Sequence, residues 1–146
     1  MKLAALALLA AAFLAGRAAA EDPRVLYLLH CQGCHLADGS GSPGAVPSLV
    51  GVARFATLPE GRAYLVGVPG SAQAPIGDAE LAAVLNWMLA AFGPADVAAQ
   101  LEPFGEEEVA RLRIPLADVG AVRAQLIDAL AGKGPAPDAK NEQRFQ

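Results

Sequence analysis

The chain of 146 residues has little cysteine, histidine, methionine or tryptophan: two, two, two and one. Both cysteines and both histidines fall between positions 30 and 35. Any chemistry that needs a thiol or an imidazole is therefore confined to one short stretch. Basic residues are also scarce, 11 against 15 acids, which sets the chain against nucleic acid and against anionic membrane surfaces. No stretch alternates apolar and polar residues over the length of a strand, and no segment repeats, so sheet classes are excluded and an all-α fold is expected. The longest apolar run, Leu3 to Leu14, is short for a bilayer span. The length suits one ordinary domain with some surplus, and is too small for two.

That apolar run follows Lys2 and ends in Ala18-Ala19-Ala20, the layout of a secretory signal peptide. Residues 1–20 are expected to be removed after Ala20, placing the mature protein, which begins at Glu21, in the periplasm. The loss takes Lys2 and Arg17 and no acid, leaving 9 basic and 15 acidic residues and a net charge of −6. A partner with a basic patch suits such a surface.

Asp22-Pro23 reads as a helix start, N-cap followed by proline at the first helical position. Ala37 to Gly51 is rich in Gly, Ser and Pro and reads as a loop. A short helix is expected around Gly61 to Val66, closed by the breaker-rich "GVPGSAQAP", Gly67 to Pro75. Leu81, Val84, Leu85, Met88, Leu89 and Phe92 recur at three and four residues, which predicts a helix over Asp78 to Phe92. Asp78 can cap or charge its start, and Gly93-Pro94 stops it. Helical patterns also cover Glu106 to Arg113 and Leu116 to Ala131. The expected organisation is a main domain over 21–93, a helical extension over 94–131 and a polar tail over 132–146. The face made by Leu116, Val119, Val122, Leu126, Ile127 and Leu130 must be covered by the chain's own core or by a partner. Glu106, Glu107 and Glu108 suit the first turn of a helix, where the dipole favours acids.

The stretch "LLHCQGCHLADG", Leu28 to Gly39, carries the chemistry. A disulfide between Cys31 and Cys34 would close a very small loop and restrict the unfolded chain little. A thioredoxin-like pair belongs in a βαβ setting, which is missing. Zinc would need Cys31, Cys34, His35 and His30 as four ligands within six residues, which strains a tetrahedron. Covalent haem attachment asks least: two thiols three apart on a helical turn can add to two vinyl groups, and the following histidine can bind iron.

"CQGCH", with "VPSLVG" (Val46 to Gly51) and "AELAAVLNWML", resembles the class I cytochromes c over roughly 23–92. The resemblance implies one haem c per chain, thioethers at Cys31 and Cys34, and His35 as proximal iron ligand. It further implies that the Pro47 carbonyl accepts a hydrogen bond from the His35 ring, and that Trp87 packs on the first helix. Basic donors near the haem carboxylates would be Arg54 and Arg62. The family's distal methionine is missing from its loop. Gln73, in "VPGSAQ", stands at that position, and Met88 is the only methionine left after signal removal. Gln73 and Met88 are therefore the distal candidates, although Met88 sits in a helical stripe, where methionine usually fills core. Tyr64 reads as core or as a distal-pocket residue. His30 is tied beside Cys31, and Lys133 and Lys140 lie in the tail.

The resemblance implies an electron carrier working between redox proteins, with no stable membrane insertion and no catalytic residue. An open distal site would instead suit a ligand-binding or sensing haem protein. The C-terminal helices would suit a dedicated haem subunit of a periplasmic dehydrogenase. A distal His/Arg pair for peroxide cleavage is excluded, because His30 and His35 are the only histidines.

Overall fold

The computed structural model describes residues 20–133; the expected signal sequence, apart from Ala20, and the tail from 134 onward lie outside the described residues. Within them the chain is helical, with no strand and one isolated antiparallel bridge between Ser42 and Val46. The helices are α1 (Pro23–His30), α2 (Pro59–Gly67), α3 (Pro69–Ala72), α4 (Asp78–Phe92), α5 (Ala95–Ala98), α6 (Glu106–Leu112) and α7 (Val119–Leu130). A 3-10 helix (Val52–Thr57) precedes α2. No described helix is long and apolar enough to cross a membrane.

α1 starts as its sequence dictates: Asp22 Oδ1 accepts from the Arg24 amide at 2.8 Å, and Pro23 occupies the first turn. The long helix α4 starts with Asp78 in the second of its two expected roles, an acid in the first turn. Asp78 is its first residue and caps nothing, and the carboxylate of Glu80 accepts from the Gly77 amide at 2.8 Å. Asp78 is occupied by Arg113 instead, at 2.7 Å. The predicted stripe of α4 is buried at Leu81, Val84, Leu85, Met88 and Leu89. α1 crosses α4 where Tyr27 packs on Trp87 and Phe92, with ring centroids 5.1 and 5.4 Å apart. Each such aromatic pair adds about 0.5–1.5 kcal/mol beyond its buried area.

The segment "VPGSA", expected as breaker-rich loop, contains the single helical turn α3. Val68 and Pro69 set extended and then helical backbone, and the amide of Gln73 closes the turn on the Pro69 carbonyl at 3.0 Å.

The extension after Gly93 shares the core of the preceding residues: Phe104, Val109, Val122 and Leu126 are buried in the same cluster as Leu26 and Leu65. Asn86 exchanges two hydrogen bonds with the Phe104 backbone, at 2.7 and 3.0 Å. Two arginines complete the attachment. Arg62 of α2 grips both oxygens of Glu108 at 2.6 Å, reaches the Glu102 carbonyl at 3.0 Å and lies 3.9 Å from the Phe104 ring centroid. Arg113 donates to the carbonyls of Ala72, Ala74 and Ile76 as well as to Asp78. It therefore fixes the segment between α3 and α4.

The loop between the cysteine motif and the 3-10 helix is held at both ends. The Leu49 amide donates to the Gly39 carbonyl at 2.7 Å, and the Gly51 amide donates to the Phe92 carbonyl at 2.8 Å. Gly39 has φ +77°, and a Cβ there would lie 2.6 Å from the Phe92 ring. Gly44 has φ +78° but open space around it.

Two expectations follow for chemical denaturation. Gly44→Ala costs about 1–2 kcal/mol through left-handed backbone alone. Gly39→Ala costs roughly 1–3 kcal/mol more because Phe92 must also move; equal costs would mean that the ring yields freely. Glu108→Gln costs about 1 kcal/mol at neutral pH, a modest figure because the pair is partly exposed. The Arg62 guanidinium holds the Glu108 carboxyl below its ordinary value. Its contribution is therefore complete above about pH 4.3, the ordinary glutamate value, and is lost as pH falls through the lowered one. The gap between variant and wild type should close on acidification; a constant gap would rule out this ion pair as its source.

Candidate haem-binding site

The cysteine motif continues directly from α1. The Cys31 and Gln32 amides donate to the Tyr27 carbonyl at 2.9 and 3.0 Å, and the Cys31 carbonyl then accepts from Cys34 at 3.1 Å and from His35 at 2.9 Å. One turn thus carries both thiols and the imidazole. Both cysteines are free, Cys31 half-buried and Cys34 exposed. Burial, with a smaller contribution from neighbouring Cys34, pushes the Cys31 thiol up and keeps it protonated. The turn is pinned from beneath by Tyr27, whose hydroxyl donates to the Leu36 carbonyl at 2.8 Å. Burial, aided by Cys31 and Asp38, pushes the Tyr27 pKa up to about 12, so the hydroxyl remains a donor.

Cys31, Cys34 and His35 line one cavity of about 340 Å³, together with Pro47, Leu49, Val52, Phe55, Leu65, Val68 and Met88. That size lies within the roughly 300–1,000 Å³ of ligand pockets. A larger hollow of about 640 Å³ lies between Arg62, Leu101 and Glu108. It is a more open depression in which Arg62 and Glu108 already bind each other, and it holds neither cysteine nor histidine.

His35 is half-buried. Burial lowers its pKa, and the carbonyl of Pro47 works in the opposite direction. That contact falls short of a full hydrogen bond, because His35 Nδ1 is buried without a partner. A neutral imidazole is the form that ligates metal, and a nearby carbonyl of this kind orients such a ligand. The described residues contain no group of three or more His, Cys, Asp or Glu suited to holding a bare metal ion. Two free thiols, one imidazole and an apolar hollow suit an apolar macrocycle that brings its own metal.

The distal candidates separate clearly. Met88 is 7% exposed and lines the cavity. Gln73 is exposed at the end of α3 and is not among the lining residues, whereas Val68, Pro69, Gly70 and Ser71 of the same segment are. Tyr64 lines the cavity and is buried, and so does His30. Arg54 is exposed outside it, and Arg62 is engaged by Glu108. Trp87 lies against Tyr27 of the first helix.

Val119, expected on a face covered by the core or by a partner, reaches the cavity from α7 together with Arg123, which sequence reasoning missed. A signal was present: Arg123 stands four residues after Val119 and three before Leu126, a charge set beside an apolar stripe. No model of a known protein family matches the chain, and no curated protein matches it.

Proposed function

We propose that the protein is a periplasmic monohaem c-type cytochrome that carries single electrons between redox proteins. The observation behind this reading is the shared lining of one largely apolar cavity by Cys31, Cys34, His35 and Met88. Cys31 and Cys34 would hold the macrocycle by adding each S–H across a vinyl double bond, which forms a C–S bond and needs no oxidant. His35 would ligate iron, with Met88 as the thioether available as a second iron ligand. Haem supplies a one-electron couple when bound, and a His/Met pair raises its potential.

The remaining residues exclude water and orient. Leu49, Val52, Leu65 and Val68 are apolar walls, and Pro47 sits beside the His35 ring. Among the described residues no Asp or Glu lines the cavity, and burial raises the Tyr64 hydroxyl pKa. This wall suits electron transfer better than proton-coupled work on a substrate. The acidic surface favours redox partners with basic docking patches. One observation favours a ligand-binding haem protein instead: Gln73 lies outside the cavity, so the distal side rests on Met88 alone.

The test uses protein produced with a c-type maturation system. Haem should survive acid–acetone extraction of the wild type and be lost from the Cys31→Ala, Cys34→Ala double variant. The wild type should show a weak far-red sulfur–iron band and no response to carbon monoxide. Met88→Leu should lose the band and bind the gas. Carbon monoxide binding by the wild type would transfer the assignment to the ligand-binding reading, and absence of covalent haem would overturn both.

A further inference from the structure

The extension supplies the cavity with its one guanidinium among the described residues. Arg123 of α7 lines the cavity and also the shallower groove behind it, bounded by Ser40, Pro43 and Pro47. It is half-buried, and it makes no salt bridge or side-chain hydrogen bond among the described residues. Its one described partner is the Phe55 ring, 5.6 Å from guanidinium to centroid. Its charge is felt by Tyr64, whose hydroxyl pKa it lowers against the effect of burial. The other half-buried arginines among the described residues, Arg62 and Arg113, each have a carboxylate. A cation taken partly out of water without a counter-charge is costly, and the cost is recovered when an anion fills the space it faces.

Haem c carries two carboxylates. Resting on the reading above, we infer that Arg123 pairs with a haem carboxylate, making α7 a wall of the cofactor site that tunes its reduction potential. The alternative use of α7, as an element free to dock a partner, fits poorly with Val122 and Leu126 buried in the chain's own core. Ile127 and Leu130 remain exposed on its outer side.

The test measures midpoint potential by spectroelectrochemistry on holoprotein. The variants are Arg123→Gln, Arg123→Leu, Arg123→Lys and, as a control of equal charge change, the exposed Arg111→Gln. Removing a cation beside the ring favours the oxidised form. Both neutral Arg123 variants should therefore shift the redox equilibrium about three- to tenfold toward oxidation, tenfold being about 59 mV for one electron. Arg123→Leu continues the apolar stripe of α7, so it tests the charge even if Arg123→Gln fails to fold. Arg123→Lys should remain within about twofold of wild type, and Arg111→Gln should scarcely move it. Unchanged potentials in the neutral variants, or an equal shift in Arg111→Gln, would overturn the pairing while covalent haem, and with it the proposed cytochrome, remained. Wild-type protein without covalent haem would instead remove the cofactor reading and this inference together.

Discussion

Tyr27 is the contact on which the rest depends. Its ring fills the crossing of α1 and α4 between Trp87 and Phe92, and its hydroxyl holds the Leu36 carbonyl. One side chain thereby links the packing of two helices to the backbone that follows His35. Burial keeps its hydroxyl protonated across the physiological range, so the link does not titrate. Phe92 extends the same cluster to Gly39, and the Gly51 amide closes the loop on the Phe92 carbonyl. The loop that carries Pro47 toward His35 is thus positioned by aromatic packing some distance away together with its own hydrogen bonds, such as those from Val46 to Ser42 and from Leu49 to Gly39.

Arg62 and Arg113 perform the matching task for the extension. Each replaces solvent with a carboxylate and backbone carbonyls, so its charge is compensated where it lies. Arg113 has an indirect consequence for the cavity. By binding the carbonyls of Ala72, Ala74 and Ile76, it fixes the far end of α3, whose near end, Val68 to Ser71, lines the cavity. A residue outside the cavity lining thus sets the position of one of its walls.

Helix positions were legible where periodicity and stop signals agreed. α4 runs from Asp78 to Phe92 as its stripe and Gly93-Pro94 indicate, and α1 follows its Asp-Pro start. The spacing Cys31-x-x-Cys34-His35 identified the three residues that one turn brings to a common cavity. What remained illegible was tertiary. Gly and Pro in "VPGSA" signal a break in helix, yet proline at a first helical position also starts one, and α3 leaves Gln73 outside the cavity. Asp78 could be read as a cap or as first-turn charge; it is the second, and nothing local shows that Arg113, 35 residues later, takes its carboxylate. Arg62, Arg113 and Arg123 are alike in sequence; only the fold assigns the first two carboxylates and leaves the third at a cavity wall.

That division has a physical consequence for the proposed electron carrier. In a crevice walled by apolar side chains, charge is screened weakly, so a single cation changes the relative stability of oxidised and reduced iron more than many surface charges do. The acids of this chain are numerous, but none of the described ones lines the cavity. They can act on encounter with a basic partner through the long-range field, a term that weakens with salt. The potential would depend instead on the iron-ligating residues and on Arg123. In the proposed carrier, docking and redox tuning would fall to different residues: a change in surface acidity would alter how fast a partner is met, with little effect on whether the electron moves downhill.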